Sequence, residues 1–325
     1  MNRLSRRDAL LRFGKVAAVL GGASAATALA FDRGGPGVVR PGAGQQTRDY
    51  RPDDPGPEGA PAELAIARGD TDAALLVRRA VEALGGMRRF VSNRDVVAIK
   101  PNIGWDRAPV HAANTNPFVV AELVRQCLDA GAARVVVTDA SCNEPGRCFT
   151  RSGIWQAAYD AGAEVVLPTT HRFRNMRMGG EVLDEWPIYR PIIESDKVIN
   201  VPVAKHHNLA RFTGAMKNWY GLLGGRRNRL HQNIDVSIAD LATFLRPTLT
   251  VLDATRVLVR NGPQGGNISD AKDLFTIVAS TDQVAADAYG CGLIGVRRED
   301  LPYLRMGQER GLGTTSWETL RTVEV

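Results

Sequence analysis

An α/β fold, with a mainly parallel sheet, helices on both faces and a single large domain, is predicted by three features of the sequence. Short runs rich in Val and Ile alternate with longer amphipathic stretches. The short runs have no polar face, which marks strands buried on both sides. Polar residues follow the runs: Lys100 and Asn102, Asp139, Lys205 and His207, and Asp253. In open α/β sheets the rim beyond the strands' carboxyl ends is where ligands bind, so these residues are expected on one rim.

The chain begins with Ser5-Arg6-Arg7-Asp8-Ala9-Leu10-Leu11, which resembles a twin-arginine export signal. A mildly apolar run over 16–30 follows and closes on Ala28-Leu29-Ala30, a small-x-small cleavage site. That run contains Gly21, Gly22 and Ser24 and falls short of the roughly 20 apolar residues of a membrane span. Residues 1–30 are therefore expected to act as a signal read by the twin-arginine translocation machinery. The working location is outside the cytoplasm, in the periplasm, with no stable membrane span after cleavage. The formal charge is +6, but Arg3, Arg6, Arg7, Arg12 and Lys15 against Asp8 put +4 of it in this leader. The remainder is nearly balanced, which gives no support to a nucleic-acid partner.

Residues 31–61 are rich in Gly, Pro, Arg and Asp and read as a flexible linker or a draped arm. The ordered domain is expected over 62–312, with 313–325 as a C-terminal tail. Residues 64–67 form a short strand. A helix over 71–84 places Leu75, Leu76, Ala80, Val81 and Leu84 on one side and stops at Gly85-Gly86. A buried strand over 96–99 leads into Lys100-Pro101-Asn102. Asn116-Pro117 supplies an N-cap and a first-turn proline for a helix that Gly131 terminates. Strands over 135–139 and 164–167 flank a helix near 154–161. Residues 168–187 are irregular, with a hairpin or lid as the expectation, and 188–194 read as a short helix.

The run over 198–203 is the strand that feeds the most charged stretch, 204–227. Residues 215–222 and 234–244 are helical. A strand over 249–253, a turn-dense loop at 261–266 and a strand over 274–279 follow. Ser280-Thr281-Asp282-Gln283 starts a helix reaching Leu293, and a last short helix spans 301–309.

Lysine use singles out the candidate site. The chain has six lysines against 35 arginines. Lys100, Lys205 and Lys217 all lie in polar motifs. A retained lysine in an Arg-biased chain points to a need for a compact ammonium or a deprotonatable amine, which guanidinium does not supply. Lys205, His207 and Lys217 are the catalytic candidates. Lys100, Asn102, Asn218, Arg226, Arg227, Asp139, Asp253 and Asp287 are the candidate substrate contacts. His206 and His207 are adjacent, so on a strand they face opposite ways. His207 with His231, joined by Asp253 or Asp139, is the one metal set these residues offer, and the zincin spacing is missing. No cofactor is otherwise implied. Cys127 and Cys291 read as core residues. Cys142 and Cys148 flank a turn-rich loop and are either bridged or two loop thiols. No C-x-x-C occurs, so an iron–sulfur cluster has no support here. G-x-G-x-x-G after the first strand, Walker A and G-x-S-x-G are absent too, which excludes the usual nucleotide folds and serine hydrolases.

Taken as an ordered set, Lys100-Pro101-Asn102, Thr115-Asn116-Pro117, Gly131-Ala132, 198–207, Lys217-Asn218-Trp219-Tyr220-Gly221-Leu222 and Ser280-Thr281-Asp282 through Asp287 resemble domain of unknown function 362. The resemblance implies a single α/β domain over about 62–312, with Lys100, Asn102, Lys205, His207, Lys217, Asn218, Asp253, Asp282 and Asp287 at its defining positions. It implies no reaction. Many relatives carry a ferredoxin-like segment, which this chain lacks. Three functions follow for testing: an exported enzyme acting on a small anionic substrate, a periplasmic ligand- or metal-binding accessory protein without turnover, and an assembly factor exported with a redox partner.

Overall fold

The computed structural model describes residues 47–52 and 62–325. The segment expected to be an export signal and most of the expected linker lie outside the described residues. The domain is a mixed α/β unit around one large sheet. Its strands are β1 (Leu64–Arg68), β2 (Val96–Pro101), β3 (Arg134–Val137), β4 (Glu164–Val165), β5 (Lys197–Val201), β6 (Val203–His207), β7 (Arg211–Thr213), β8 (Leu249–Leu258), β9 (Ala271–Ser280) and β10 (Thr322–Glu324). The order is β10-β1-β9-β8-β5-β2-β3-β4, with β6 paired to β8 and β7 to β6. The run from β8 through β5, β2 and β3 to β4 is parallel; β9 is antiparallel to both of its neighbours.

Period-two alternation divides the core between the two faces. Val97, Ile99, Val135, Val137, Ile199 and Val201 face the layer made by α1 (Ala73–Ala83), α2 (Pro117–Asp129) and α3 (Ile154–Asp160), where they meet Leu76, Val77, Leu123 and Val124. Ala98 and Val198 face the opposite layer of α4 (Ile234–Phe244), α5 (Gln283–Gly290) and α6 (Pro302–Glu309). The expected caps form: Asp72 and Asn116 accept from backbone N–H groups at the starts of α1 and α2. Gly85, Gly86 and Gly131 adopt positive φ where these helices end.

Several boundaries differ from the sequence reading. Residues 313–325 are not a free tail, because β10 is the edge strand beside β1. Ile188 is not helical: Glu185–Tyr189 pairs antiparallel with Phe173–Arg177 as a hairpin, and only Arg190–Ile193 forms a helical turn. Within the linker, Arg48–Asp49 pairs with Leu245–Arg246 and the Tyr50 hydroxyl donates to the Ile193 carbonyl, so this part is held to the domain. β8 runs five residues beyond Asp253, because β6 gives its exposed edge a partner. No helix among the described residues is long and apolar enough to cross a membrane.

The site exists because two neighbouring strands separate. β2 and β5 pair in parallel as far as Pro101 opposite Val201. Pro202 has no N–H to donate and the strand breaks there. Beyond it, β6 follows β8 and leaves β2. The opening is covered by Gly214, the helical turn Ala215–Asn218 and the 3₁₀ turn Trp219–Leu222.

Gly221 sits where that cover crosses a buried ion pair, Lys100 Nζ to Asp139 Oδ1 at 2.7 Å. A Cβ on Gly221 would lie 1.9 Å from that carboxylate oxygen and 2.7 Å from the ammonium. Gly221→Ala is therefore expected to destabilise by about 2–4 kcal/mol, at or above the usual overpacking cost. Gly266→Ala, where a Cβ meets nothing within 4 Å, should stay within about 0.5 kcal/mol of the parent. Urea midpoints for the two variants check the contrast.

Candidate functional site

The opening between β2 and β6 is a cavity of about 660 Å³, lined among others by Asn102, Asp139, Lys205, His207, Lys217, Asn218 and His231. Its floor is a polar chain that starts on the sheet. Lys100 and Asn200 are register partners on one face. Asn200 donates to the Ala215 carbonyl (2.9 Å) and accepts from Asn218 Nδ2 (2.8 Å). Asn218 also donates to the Lys100 carbonyl and accepts from Asn102 Nδ2, both at 3.2 Å. Asn102 Oδ1 then accepts from Lys205 Nζ at 3.0 Å. These amides, Asn200 and Asn218 buried and Asn102 half-buried, use both donors and acceptors, so the network is rigid rather than merely polar.

Lys205 is buried and makes a second bond to the Ala113 carbonyl, at 2.5 Å. Burial, with the Lys217 charge acting in the same direction, pulls its ammonium down to about 7. Two of its three positions are directed at acceptors. The third holds a proton in the ammonium and a lone pair in the amine, so either state keeps both bonds.

His207 and His206 point apart, as adjacent strand residues must. His206 Nδ1 accepts from Gly262 N–H at 3.2 Å, on the loop side. His207 Nδ1 accepts from the Leu209 and Ala210 N–H groups, at 3.1 and 3.2 Å. An Nδ1 that accepts two bonds carries no proton, so the neutral ring bears its hydrogen on Nε2. Burial and the Lys217 and Lys205 charges push this imidazole down to about 2. His207 is thus a neutral N–H donor near pH 7, not the acid–base group the sequence suggested.

The same tautomer bears on the expected metal set. With its hydrogen on Nε2 and its Nδ1 lone pair committed to backbone, His207 has no free lone pair for a metal. His231 stacks near it, ring centroids 6.1 Å apart, and its Nδ1 lies 3.1 Å from the Asn228 carbonyl, leaving Nε2 as an acceptor. Of the two carboxylates offered as third ligand, Asp253 lines a separate cleft, and Asp139 is engaged by Lys100 and the Ile103 N–H. Among the described residues no group of three or more His, Cys, Asp or Glu side chains is arranged to hold a metal ion. The residues do not fit the metal site expected of them.

Other nominated residues support the site from behind. Lys100 is sealed beneath the cavity floor and paired with Asp139, whose other oxygen accepts from Ile103 N–H at 2.7 Å. It shapes the site but does not line it. Asp253 accepts from Asn116 N–H and from Thr255 N–H and Oγ1, which fixes the start of α2. Both oxygens of Asp287 accept from the N–H groups of Ala215 and Met216, so it anchors the turn that carries Lys217 and Asn218. Burial raises Asp287 to about 7 even with those bonds. A Cβ on Gly214 would lie 2.0 Å from this carboxylate. Arg227 donates to the carbonyls of Ala140, Ser141 and Tyr220 and approaches Cys142 Sγ at 3.4 Å. Arg227 lines the cavity, but its guanidinium is committed to these carbonyls and clamps two loops. Arg226 is exposed and does not line the cavity. Cys142 and Cys148 are free thiols; Cys142 lines the cavity and Cys148 is buried.

Tyr220 and Thr213 are among the lining residues that the sequence reading does not nominate. Tyr220 lies three residues after Lys217, the spacing that brings side chains together on a helical turn; its ring centroid sits 4.1 Å from Lys217 Nζ. That spacing was a usable signal. Thr213 is buried, and among the described residues its hydroxyl has no hydrogen-bond partner. Nothing in its sequence context marks it, because only the pairing of β7 with β6 turns it inward.

Lys217 is the electrostatic exception. It is 7% exposed, and among the described residues no carboxylate or hydrogen-bond acceptor meets its ammonium; its close neighbour is the Tyr220 ring. Burial lowers it to about 8. A depressed lysine lowers stability while it is protonated in both states, and that loss fades as pH rises from its folded value toward the unfolded value near 10.4. Lys217→Met is therefore expected to raise the ligand-free Tm at pH 6–7, by about 2–4 °C for each kcal/mol of relief. The gain should shrink as pH climbs from 8 to 10. Thermal unfolding across that range checks both the sign and the window.

The comparisons with known proteins agree with the motif reading. The profile described as a domain of unknown function, DUF362, matches residues 97–292. A thylakoid-associated protein of Synechocystis sp. is 23% identical over 257 residues, covering 74% of this chain and 76% of that protein. Two solved structures are more distant. A Thermotoga maritima protein is 12% identical with a TM-score of 0.42, and the lactate racemase apoprotein of Thermoanaerobacterium thermosaccharolyticum is 14% identical with a TM-score of 0.41. Each match covers 70% of this chain, which spans 60% and 56% of those two chains. The profile takes in more than half of the chain, from the start of β2 through α5, and the chain belongs to the DUF362 family.

Proposed function

We propose that the cavity binds a small organic anion and that Lys205 transfers a proton to or from it. The carrying observation is the Lys205 amine, held by Asn102 and Ala113 at two positions, open at the third, and brought by burial to about 7. A group titrating there is populated in both protonation states near neutral pH, which is what an acid–base catalyst requires. Lys217 supplies the positive charge that attracts the anion. Thr213 Oγ1 and His207 Nε2–H supply neutral donors, and a neutral imidazole donor stabilises developing negative charge without giving up its proton. Asp139 is the one carboxylate lining the cavity, and Lys100 engages it.

Binding without turnover is the second reading, supported by the unpartnered Lys217 and Thr213, which accommodate a ligand whether or not it reacts. Hydrogen–deuterium exchange separates the two. In D₂O with a panel of small carboxylates, mass spectrometry should detect deuterium at a substrate carbon, at a rate rising with pH through about 7. Lys205→Met should reduce exchange by about 10²-fold or more and leave anion affinity within a few-fold. Exchange that survives in Lys205→Met overturns the catalytic role of Lys205; binding with no exchange in the parent supports the second reading.

We also propose that the protein is exported by the twin-arginine route. Arg6 and Arg7 followed by the short apolar run and Ala28-Leu29-Ala30 support this reading. Arg6→Lys combined with Arg7→Lys should leave the protein in the cytoplasmic fraction of its host. Unchanged fractionation overturns the proposal.

A further inference from the structure

The anion-binding reading leaves most of the cavity unaccounted for. Its volume of about 660 Å³ lies in the range of sites that enclose ligands of many heavy atoms, about 300–1,000 Å³. A two- or three-carbon acid displaces only a few waters, on the order of 100 Å³ at about 30 Å³ each. A head group on Lys217 and Thr213 therefore leaves room for a much larger body.

The remaining lining is chiefly apolar. Trp105, Ala140, Leu209, Pro263 and the Tyr220 ring contribute to it. Leu209, in the turn between β6 and β7, is 56% exposed and lines the cavity. That turn is tied to the loop bearing Pro263 by Asn208 N–H to the Gly262 carbonyl and by Gly262 N–H to His206 Nδ1. A Cβ on Gly262 would lie 1.8 Å from the His206 carbonyl oxygen, so the two segments are in direct backbone contact. Leu209 and Pro263 are thus held on one joined rim. The charge is restricted too: among the described residues Lys217 is the one cavity ammonium without an acceptor, and the Arg227 guanidinium is committed to carbonyls, which matches a monoanion better than a polyphosphate.

Resting on the anion-binding reading, we propose that the ligand is an organic monoanion with an extended apolar body. Its head group is held by Lys217 and Thr213, and its body lies against Trp105, Leu209 and Pro263. Isothermal titration at pH 7 with straight-chain carboxylates from acetate to decanoate, below their micellar concentrations, tests this. Affinity should rise about threefold to fourfold per methylene until the cavity is filled. Leu209→Ser should flatten that rise, and Lys217→Met should weaken every member of the series. Decanol should bind at least tenfold more weakly than decanoate. Equal affinities along the series overturn the apolar body while anion binding stands. Equal binding of decanol and decanoate overturns the head-group assignment. Failure of every carboxylate to bind overturns the anion-binding reading along with this one.

Discussion

The ion pair between Lys100 and Asp139 is the interaction on which the rest of the site depends. Both groups are withdrawn from water at the carboxyl ends of adjacent parallel strands. A buried pair of this kind gains little over an apolar replacement, but loss of one partner strands a charge and typically costs about 3–5 kcal/mol. Its structural effect is to define the level at which the covering turn crosses the sheet. Gly221 carries no side chain and rests directly on the pair. That contact places Asn218 over Asn200 and Lys217 over the cavity. Asp287 secures the same turn from its N-terminal side, and Gly214 is the residue that lets the carboxylate approach.

The three buried lysines share one region but differ in their compensation. Lys100 has a carboxylate, Lys205 has two neutral acceptors, and Lys217 has an aromatic ring. Compensation falls in that order, and so does the suitability of each for structure alone. A cation–π contact contributes about 0.5–2 kcal/mol, less than the cost of taking an ammonium out of water without a partner. Local unfavourable electrostatics of this sort is characteristic of functional sites, where a bound ligand supplies what the protein withholds. The neutral tautomer of His207 follows from the same surroundings: two neighbouring ammoniums and two backbone donors on Nδ1 all oppose a second proton.

Much of the fold was legible because its signals are local. Apolar runs without a polar face identified the central strands, and Asn116-Pro117 and Gly131 bounded α2 through backbone chemistry acting within a few residues. Lys205, His207, Lys217, Asn102 and Asn218 were recognised by lysine scarcity, strand-end placement and the family pattern, and all five line one cavity. The misassigned residues share a cause. Asp253, Asp287, Arg226 and Arg227 have the right chemistry at plausible places, but their orientation is set by partners distant in the chain. Asp287 is 72 residues from Ala215, whose N–H it accepts. Arg227 reaches carbonyls 86 and 87 residues away. Thr213 went unnoticed for the same reason.

The sequence by itself determined the α/β class, the membership in a family and the set of residue types available for chemistry. These rest on periodicity, caps and ordered motifs, each readable along the chain. The tertiary structure decided which lysine is paired, which histidine nitrogen carries the proton and which acids face a ligand. Those outcomes depend on burial and on hydrogen-bond partners brought together by strand pairing. The break at Pro202 was visible as a residue, but its consequence was not: only when β6 joins β8 and parts from β2 does a cavity open between Asn102 and Lys205.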